Sequence, residues 1–460
     1  MINGNIFISG FTVLLLFTLI LQCARDPMSS ANQNKPADIS PERIIHSYHK
    51  LYAEIESQDI YISPVISARF LMSLNMTIRE VLQKFDVLQV DGTRKNQLKN
   101  KSSDSLLLAY MLNTSLSEHL SSIFSNRVKK SRDAITHHFS VIETQLLADA
   151  KADRDLIVDS RTISKAISDS VAYAMLPPEY IEFPDFAMRD SLISSYDSIS
   201  GNSVKKWVHS LLKYQTILPE MEIQSLLTKD LDKFIPLNKN ELYKEALEVY
   251  TLSKPLQSEY KWIAEFWSDD LPGVTYSPAT RWISILNQVL ENDMKPFQEV
   301  QELYFLLSLV MHETAVSCWR LKYTSMQVRP SMYIQSEIDP GWVPFHDNPP
   351  FPAYPSGHSA FGAAAAFVLE YFFGTSYSFT DNSHKGNKAF LSDPRSYRSF
   401  KEMAAESAIS RLYMGVHFRK DCEDGLLLGE TIAKYILEKN IHTNFMKKKT
   451  GQTNHAQSFN

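Results

Sequence analysis

The sequence is poor in cysteine, with 3 in 460 residues. No Cys-x-x-Cys pair and no Cys/His cluster with the spacing of a zinc site occurs, so nothing in the sequence indicates a zinc site. Cys318 and Cys422 both lie close to motif residues described below. Two interpretations of this pair are open: a disulfide formed in an oxidising compartment, or two buried free thiols, which is the interpretation we favour.

Neither sign of charge predominates. The chain carries 47 Lys and Arg against 52 Asp and Glu, a formal net charge of −5, with 44% hydrophobic and 11% aromatic residues. These values are typical of an ordinary folded protein, whereas a nucleic-acid-binding domain would show a basic face. We therefore expect no nucleic-acid partner, and the charge itself identifies no other.

Long apolar runs are absent after residue 25, where no segment offers the about 18 apolar residues that a membrane helix needs. The shorter run Ile6–Leu21 fits the core of a signal peptide. It ends in Ile-Leu-Gln-Cys, which resembles a bacterial lipoprotein signal and would place a lipid anchor on Cys23. Gln22, and the lack of Lys or Arg in residues 1–5, depart from that pattern, so a plain secretory signal is the alternative. Both predict an exported protein, in the periplasm or cell envelope.

Strand patterns are sparse throughout and glycine is scarce in the first half, which predicts a mainly α fold: a helical-bundle catalytic core with an additional N-terminal helical region. The N-terminal region shows no catalytic constellation. It could serve an interface, but the oligomeric state cannot be read from the sequence. The expected organisation is a signal peptide at 1–22, a tether at 23–39, the N-terminal helical region at 40–254, the catalytic domain at 255–440 and a polar tail at 441–460.

Several local patterns predict elements. Ser40 and Pro41 are typical of a helix start. Two further helices are predicted at Pro296–Tyr323 and Ser356–Phe373. The spacing of Ser399 and Glu402 predicts the capping box of another. Pro330–Pro355 is rich in proline and has almost no periodicity, so we expect an ordered loop there.

Three short segments carry the chemistry. Each is weak alone, but their joint occurrence in this order argues against chance. They are Lys322 followed after six residues by Arg329-Pro330; Pro355-Ser356-Gly357-His358; and Ser410-Arg411, then five residues, His417, three residues and Asp421.

The donors in these segments match the needs of a tetrahedral oxyanion. Lys322, Arg329 and Arg411 supply three positive charges, and each guanidinium can bind a pair of oxygens. The Ser356 hydroxyl can donate a hydrogen bond. Gly357 lets its backbone N–H approach an ion without a Cβ, at a helix N-terminus that favours negative charge. The sequence therefore predicts an oxyanion cradle.

The two histidines divide the reaction. At a spacing of four, Asp421 could reach the His417 imidazole on a helical turn, or the local turn could bring only the backbone near. Either contact would fix the tautomer and leave the other ring nitrogen of His417 as a nucleophile or metal ligand. His358, beside Ser356 and Gly357, suits general acid–base catalysis.

These motifs resemble the signature of the superfamily that joins type 2 phosphatidic acid phosphatases, bacterial non-specific acid phosphatases and vanadium-dependent haloperoxidases. The resemblance covers residues 260–435 and implies a helical bundle. It implies that His417 forms a phosphohistidine or ligates vanadate, and that His358 is the acid–base catalyst. It also implies that the oxygens of the anion are held by Lys322, Arg329, Ser356, Gly357 and Arg411.

Chain length, the segment Phe351–His358, the residues around Arg411 and His417, and Trp319 three residues before Lys322 resemble the chloroperoxidase-like haloperoxidases more than the shorter acid phosphatases. In that branch the residues matching Trp319 and Phe351 line the halide side of the pocket, although core packing would also explain both aromatics.

The resemblance implies vanadate as cofactor, with hydrogen peroxide, a halide and a small organic molecule as reactants. His358 would take the proton of peroxide, and Lys322 would polarise the bound peroxide. An exported acid phosphatase that uses the same residues is the second hypothesis. A non-catalytic phosphate- or partner-binding protein is the third, and it would need neither histidine.

Overall fold

The computed structural model describes residues 39–58, 62–90, 101–124, 129–149, 154–175 and 234–439, apart from 255, 272, 350 and 392. The predicted signal peptide, Cys23, the tether up to residue 38 and the polar tail lie outside these residues. The fold is mainly α, as predicted. Its elements are α1 Pro41–Ser57, α2 Pro64–Val90, α3 Lys101–Phe124, α4 Lys129–Asp149, α5 Arg154–Met175, α6 Lys239–Leu252, α7 Ser258–Phe266, α8 Pro278–Asn292, α9 Phe297–Ser325, α10 Pro330–Glu337, α11 Gly357–Phe373, β1 Phe379–Asp381, β2 Arg395–Tyr397, α12 Phe400–Tyr413 and α13 Arg419–Glu438.

The N-terminal helices and the C-terminal bundle share one hydrophobic core. Helix α1 starts at Ser40 with Pro41 in its first turn, as predicted, although the Ser40 side chain makes no capping hydrogen bond. Tyr48 on α1 is buried in the same cluster as Trp282 on α8 and Ile436 on α13. Burial of this apolar surface stabilises both halves together. The predicted boundary between 254 and 255 stays a prediction.

Helix α9 is the central helix and confirms the predicted Pro296–Tyr323 segment. It is buried along most of its length, with α2 on one side and α11 on another. It ends at Met326, whose φ of 48° lies in the left-handed region. Lys322 therefore occupies the last turn of a rigid, buried helix.

Two glycines let α13 approach α11 closely. A Cβ on Gly425 would lie 2.6 Å from the carbonyl oxygen of Ser356, and one on Gly429 would lie 2.0 Å from that of Ala360. A side chain at either position would push the helices apart. At the end of this contact the Ser356 N–H donates to the Asp421 carbonyl at 2.8 Å. The starts of the two helices are thus held together.

The expectation of a loop over Pro330–Pro355 was wrong for its first part, which forms α10. Pro330 stands in the first turn, where its missing N–H costs nothing, and Arg329 before it is extended. No proline follows until Pro340, so the turn can propagate. The described residues from 338 to 355 form neither helix nor strand.

The connector before α12 contains a small antiparallel hairpin in which Phe379 pairs with Tyr397. Ser399 then caps α12 through its Oγ, which accepts the N–H of Glu402 at 3.1 Å. The Glu402 carboxylate accepts from the N–H of Arg398, so only the serine half of the predicted capping box forms. Across the described part of the chain, no helix has the length and apolar character to cross a membrane.

Candidate oxyanion site

The predicted site residues within the described part of the chain converge where five elements end or begin. Helix α9 supplies Lys322 from its last turn, and Arg329 is the residue before α10. Ser356 caps α11, Arg411 lies near the end of α12, and His417 stands in the turn before α13. All of them are buried: Trp319, Lys322, Arg329, Phe351, Ser356, Gly357, His358, Arg411, His417 and Asp421.

The hydrogen bonds of His417 fix its tautomer. Arg329 Nη1 lies 2.9 Å from His417 Nε2. Because a guanidinium can only donate, Nε2 must carry a lone pair, and the proton must sit on Nδ1. His417 Nδ1 lies 3.1 Å from Asp421 Oδ2, which can accept that proton's hydrogen bond. The nitrogen that carries the lone pair is therefore Nε2, and in this structure it accepts a hydrogen bond from Arg329.

Asp421 reaches the imidazole through its carboxylate, which decides between the two contacts left open by the sequence. His417 itself precedes α13, and Asp421 lies in the first turn of that helix. The same Oδ2 accepts the N–H of Phe418 at 3.0 Å. One carboxylate thus caps the helix and orients the histidine.

Both histidines are held in the neutral form. Burial lowers the pKa of His417 well below its usual range, and the charges of Arg329 and Lys322 lower it further. Burial also lowers the pKa of His358 well below that range, followed by the effect of Arg411. A neutral imidazole can act as a ligand, nucleophile or base, whereas a protonated one cannot.

Arg329 is surrounded by oxygen atoms of the protein. Its Nε and Nη2 donate to the Phe351 carbonyl at 3.1 and 2.9 Å. Its Nη1 donates to the Val416 carbonyl at 2.8 Å and to His417 Nε2. The guanidinium therefore ties the loop before α11 to the turn that carries His417.

Lys322 is also committed to backbone oxygens. Its Nζ lies 3.0 Å from the carbonyls of Pro352 and Ala353 and 2.5 Å from that of Pro355. These three contacts equal the donor capacity of an ammonium group. Burial lowers the pKa of Lys322 to about 7. In this arrangement Lys322 holds the backbone of residues 352–355 in place. To donate to an anion, its Nζ must give up at least one of the three hydrogen bonds to carbonyl oxygens.

The start of α11 has little room. Ser356 Oγ accepts the N–H of Ser359 at 3.3 Å and its hydroxyl at 2.9 Å. A Cβ on Gly357 would lie 3.1 Å from two ring atoms of Trp319. Glycine therefore suits close packing against the indole as well as the approach of an anion, and a Cβ here would displace the ring by a few tenths of an ångström.

His358 faces a carboxylate that the sequence motifs did not include. Its Nε2 lies 3.4 Å from Asp269 Oδ2, and side-chain exposure at both residues is low, at 9% and 1%. Burial raises the pKa of Asp269 to about 6. Among the described residues, neither His358 Nε2 nor Asp269 Oδ1 has a hydrogen-bond partner. Polar groups buried in this way favour an incoming polar ligand.

Arg411 has spare donor capacity. Its Nη1 donates to the Trp267 carbonyl at 2.8 Å, but its buried Nε finds no acceptor within the described part of the chain. Burial lowers the pKa of Arg411, while the charge of Asp269 opposes this effect. An anion in the cavity beside Arg411 would supply the missing acceptor.

Within the described part of the chain, a cavity of about 110 Å³ borders one side of the site. Its wall holds His358 and Arg411, together with residues that the sequence motifs did not indicate. These are Ser268, Asp269, Asp270, Leu271, His346, Asp347, Asn348, Pro349 and Met414. Lys322, Arg329 and His417 do not reach its surface. The cradle is therefore open at His358 and closed over His417.

The two aromatic residues predicted for the halide side contact each other. The ring centroids of Trp319 and Phe351 are 5.0 Å apart, with the planes tilted by 56°. Lys322 Nζ lies 5.5 Å from the first centroid and 5.2 Å from the second. The pair thus forms an apolar wall beside a cation, which suits a weakly hydrated halide and also serves core packing.

The two remaining cysteines are free and buried. Cys318 Sγ lies 3.7 Å from the carbonyl oxygen of Pro355. Burial raises the pKa of Cys318 to about 11, so its thiol stays protonated. The interpretation as buried thiols, and not the disulfide, matches the structure.

Three of the polar residues that sequence reasoning missed are Asp269, His346 and Gln327. Asp269 and His346 lie at the cavity in segments without a motif, and Gln327 donates to Asp421 Oδ1 at 2.6 Å. Gln327 stands two residues before Arg329, and this proximity was the one signal that could have drawn attention to it. His346 Nε2 lies 2.7 Å from Ser268 Oγ.

Comparison with known proteins places the C-terminal bundle in a defined class. Residues 302–444 match the family model described as the VCPO second helical-bundle domain. This segment holds every motif residue named above. The predicted resemblance to the haloperoxidase branch is thereby confirmed for this region. No curated protein matches the chain significantly.

Solved structures extend the likeness beyond this bundle. A crystal structure described as the first bacterial vanadium-dependent iodoperoxidase shares 23% identity, with a TM-score of 0.63 and coverage of 88% of this chain and 98% of that one. A holo-type bacterial vanadium-dependent chloroperoxidase shares 15% identity, with a TM-score of 0.54 and coverage of 86% and 96%. At these identities the likeness establishes a shared fold over both halves of the chain.

Proposed function

We propose that the protein is a vanadate-dependent haloperoxidase, an enzyme that oxidises halide with hydrogen peroxide. The observation that carries the proposal is the tautomer of His417: its Nε2 lone pair faces the guanidinium of Arg329 inside a buried, cationic cradle. The matching family model and the solved haloperoxidases of the same fold support it.

The residues present fit vanadate. The buried Nε of Arg411 has no acceptor among the described residues. Gly357 leaves its N–H uncovered by a Cβ at the start of α11. His417 would be the protein ligand, and Arg329, Lys322 and Arg411 would hold the oxygens. Each charge-assisted hydrogen bond contributes roughly 1.5–3 kcal/mol, which suffices to retain an anion.

When bound, vanadate supplies Lewis acidity that activates peroxide toward halide. The protein contributes proton handling at His358. Because its pKa is held well below the usual range, His358 is unprotonated at neutral pH and can take the proton of incoming hydrogen peroxide. Asp269, 3.4 Å from Nε2, stabilises the imidazolium that forms.

The remaining residues hold the reactants and exclude water. Arg329 and Asp421 keep His417 in one orientation from its two ring nitrogens. Trp319 and Phe351 would form the halide wall, where the loss of hydration costs a large, polarisable ion comparatively little free energy. Hydrogen peroxide, the halide and a small organic acceptor would enter through the cavity beside His358, whose wall does not include the two aromatics.

The experiment that tests this function compares two activities in one preparation. Purified protein is incubated with orthovanadate and excess is removed. Oxidation of bromide and iodide by peroxide is then measured beside hydrolysis of a phosphomonoester, with and without vanadate. We expect vanadate-dependent halide oxidation and inhibition of any ester hydrolysis. Ester hydrolysis without vanadate-dependent halide oxidation would replace the proposal with the phosphatase hypothesis, and neither activity would favour the binding protein.

An exported location belongs to the same proposal. The apolar run Ile6–Leu21 and the cysteine at position 23 support a signal peptide and a lipid anchor. Incorporation of labelled fatty acid into the wild-type chain, and its loss in Cys23→Ser, would support the anchor. Secretion without labelling would leave the plain signal peptide as the explanation.

A further inference from the structure

Gln327 is a buried amide in the short link between α9 and α10. It is 6% exposed. The main chain at this residue is fixed as well, because its carbonyl accepts the N–H of Ala353 at 3.0 Å. The side chain therefore extends from a rigid point toward the start of α13.

Two contacts determine which way the amide faces. Gln327 Oε1 accepts the N–H of Leu237 at 2.9 Å. A backbone N–H can only donate, so the oxygen must be on that side and the NH₂ group on the other. Gln327 Nε2 then donates to Asp421 Oδ1 at 2.6 Å. The two contacts agree on a single orientation.

The Gln327 amide gives the second oxygen of the Asp421 carboxylate a hydrogen-bond donor. Its Oδ2 accepts from Phe418 N and from His417 Nδ1, and its Oδ1 accepts from Gln327. With donors on both oxygens the carboxylate cannot rotate about its last bond without breaking a hydrogen bond. A chain of contacts thus runs from the Leu237 N–H through Gln327 and Asp421 to His417.

We propose that Gln327 is a positioning residue of the oxyanion site: it holds the Asp421 carboxylate so that His417 keeps its proton on Nδ1 and its lone pair on Nε2. The proposal rests on the proposed role of His417 as the covalent partner of the anion. It also gives the segment before α6 a function, because Leu237 anchors the amide from outside the motif-bearing region.

The anchoring segment is itself packed on the His417 turn. Leu237 is buried in one apolar cluster with Phe418, the residue after His417, and with Trp342. Farther along α6, Glu245 accepts the N–H of Lys420 at 3.0 Å. The position of Leu237 is therefore tied to the start of α13 by apolar packing and by a helix-capping hydrogen bond.

Two substitutions separate positioning from simple packing. Gln327→Leu removes both hydrogen bonds and keeps a similar volume. Gln327→Glu keeps an acceptor for the Leu237 N–H, but it presents an oxygen and no donor to Asp421. If Gln327 serves only to fasten the α9–α10 link to the Leu237 N–H, Gln327→Glu should have the His417 spectrum and the vanadate affinity of the wild type. If it positions Asp421, both variants should impair the site.

The matched control is Gln288→Leu. Gln288 makes the same pair of contacts elsewhere, since its Nε2 donates to Asp381 Oδ1 at 3.0 Å and its Oε1 accepts the N–H of Asn382 at 2.8 Å. The control therefore loses a similar glutamine bridge, together with a hydrogen bond from Nε2 to Ser383 Oγ at 3.1 Å, without touching Asp421. Thermal unfolding of all three variants shows how much stability each bridge contributes.

The first measurement uses the vanadate-free protein with ¹⁵N-labelled histidine, and the His417 resonances are assigned by their loss in His417→Asn. Wild type and Gln288→Leu should show a protonated Nδ1 and an unprotonated Nε2. In both Gln327 variants we expect the Nδ1–H signal to shift and broaden. An unchanged His417 spectrum in both would overturn the proposal.

The second measurement is vanadate affinity by titration. We expect both Gln327 variants to bind about 10- to 100-fold more weakly, with Gln288→Leu close to wild type. If Gln327→Glu binds like the wild type, the positioning role is wrong even if halide oxidation is present. If the wild type binds vanadate but oxidises no halide, the proposed function fails, while the ¹⁵N result still tests Gln327.

Discussion

The two sides of the oxyanion site differ in what their cations contact. On the closed side, Lys322 and Arg329 donate to backbone carbonyls and to His417. On the open side, Arg411 and His358 border the cavity, and each has a buried nitrogen that lacks a hydrogen-bond partner among the described residues. One site thus combines satisfied and unsatisfied donors.

The difference indicates how an anion would be taken up. On the open side a ligand supplies missing acceptors, so binding regains what burial of those groups has cost. On the closed side a ligand must replace protein carbonyls, so each new contact is an exchange. We expect the open side to contribute anion affinity and the closed side to contribute both affinity and rigidity.

The largest expected effect comes from removing the nucleophilic nitrogen itself. His417→Ala should abolish vanadate binding and halide oxidation, because it removes the imidazole nitrogen that would bond to the central atom of the anion, while the other acceptors of Arg329 given above are backbone carbonyls. Calorimetric titration with vanadate and a bromide oxidation assay measure this. His137→Ala, at an exposed histidine, is the control. Retained vanadate-dependent activity in His417→Ala would disprove the site assignment.

Replacing one arginine on each side tests the comparison directly. Arg411→Met and Arg329→Met should each weaken vanadate binding about 10- to 100-fold, the loss of one charge-assisted hydrogen bond or slightly more. Their effects on folding should differ. Arg329→Met leaves the Phe351 and Val416 carbonyls without their donor and should lower the melting temperature markedly. Arg411→Met removes a partly unsatisfied buried charge and should lower it far less.

Melting curves recorded without vanadate decide this point. If Arg411→Met and Arg329→Met lower the melting temperature equally, the cations on the two sides do not differ in how fully they are hydrogen-bonded, and the distinction is wrong. Arg419→Met serves as control, because its ion pair with Glu248 is partly exposed and should contribute little.

The sequence predicted the closed side of the site better than the open side, because the motif residues His417 and Asp421 lie there. The spacing of His417 and Asp421 suggested a contact between the carboxylate and the imidazole as one of two alternatives, and the structure shows that this contact forms. Lys322 was predicted as a direct anion donor, but its contacts depend on the path of residues 352–355, which no periodicity reports. Asp269 was missed because its partner His358 is distant in sequence and joined to it only by tertiary packing.

Local sequence patterns also failed to predict structure that depends on the position of one residue or on contacts with distant segments. Proline density in Pro330–Pro355 suggested a loop, yet one proline at a helix start is compatible with α10. Gln327 gave no signal beyond its place two residues before Arg329, because its role requires Leu237 and Asp421 on opposite sides of its amide. Helices were predictable from periodicity, whereas polar contacts between segments were not.

A smaller effect is expected at the start of α11. Gly357→Ala places a Cβ 3.1 Å from the Trp319 ring, so the indole, which also contacts Phe351, must move by a few tenths of an ångström. We expect a weaker affinity for halide, seen as a raised KM, and a loss of vanadate affinity of about 10-fold or less. Gly362→Ala on the same helix meets only ordinary contacts from 3.4 Å and is the control. Unchanged halide kinetics would argue that the two aromatics serve packing alone.

The smallest expected effect concerns stability and pH on the open side. Burial raises the pKa of Asp269 to about 6 from 3.8, so the folded protein keeps a proton that the unfolded chain releases between these values. Stability should therefore fall as pH rises through this window. Asp269→Asn removes the free-energy cost of ionising a buried carboxyl group. Its melting temperature relative to wild type should therefore be higher at pH 7 than at pH 4.

Asp339→Asn is a control of opposite sign. Hydrogen bonds from Lys254 and from the Gly341 N–H lower the pKa of Asp339. That carboxylate therefore stabilises the fold above its unfolded pKa, and the contribution is lost as pH falls. Asp339→Asn should be slightly less stable than wild type at pH 7 and equal to it at low pH. If Asp269→Asn were also less stable than the wild type at pH 7 and equal to it at low pH, Asp269 would be a satisfied ion-pair partner. The polar groups on the open side would then be as fully hydrogen-bonded as those on the closed side.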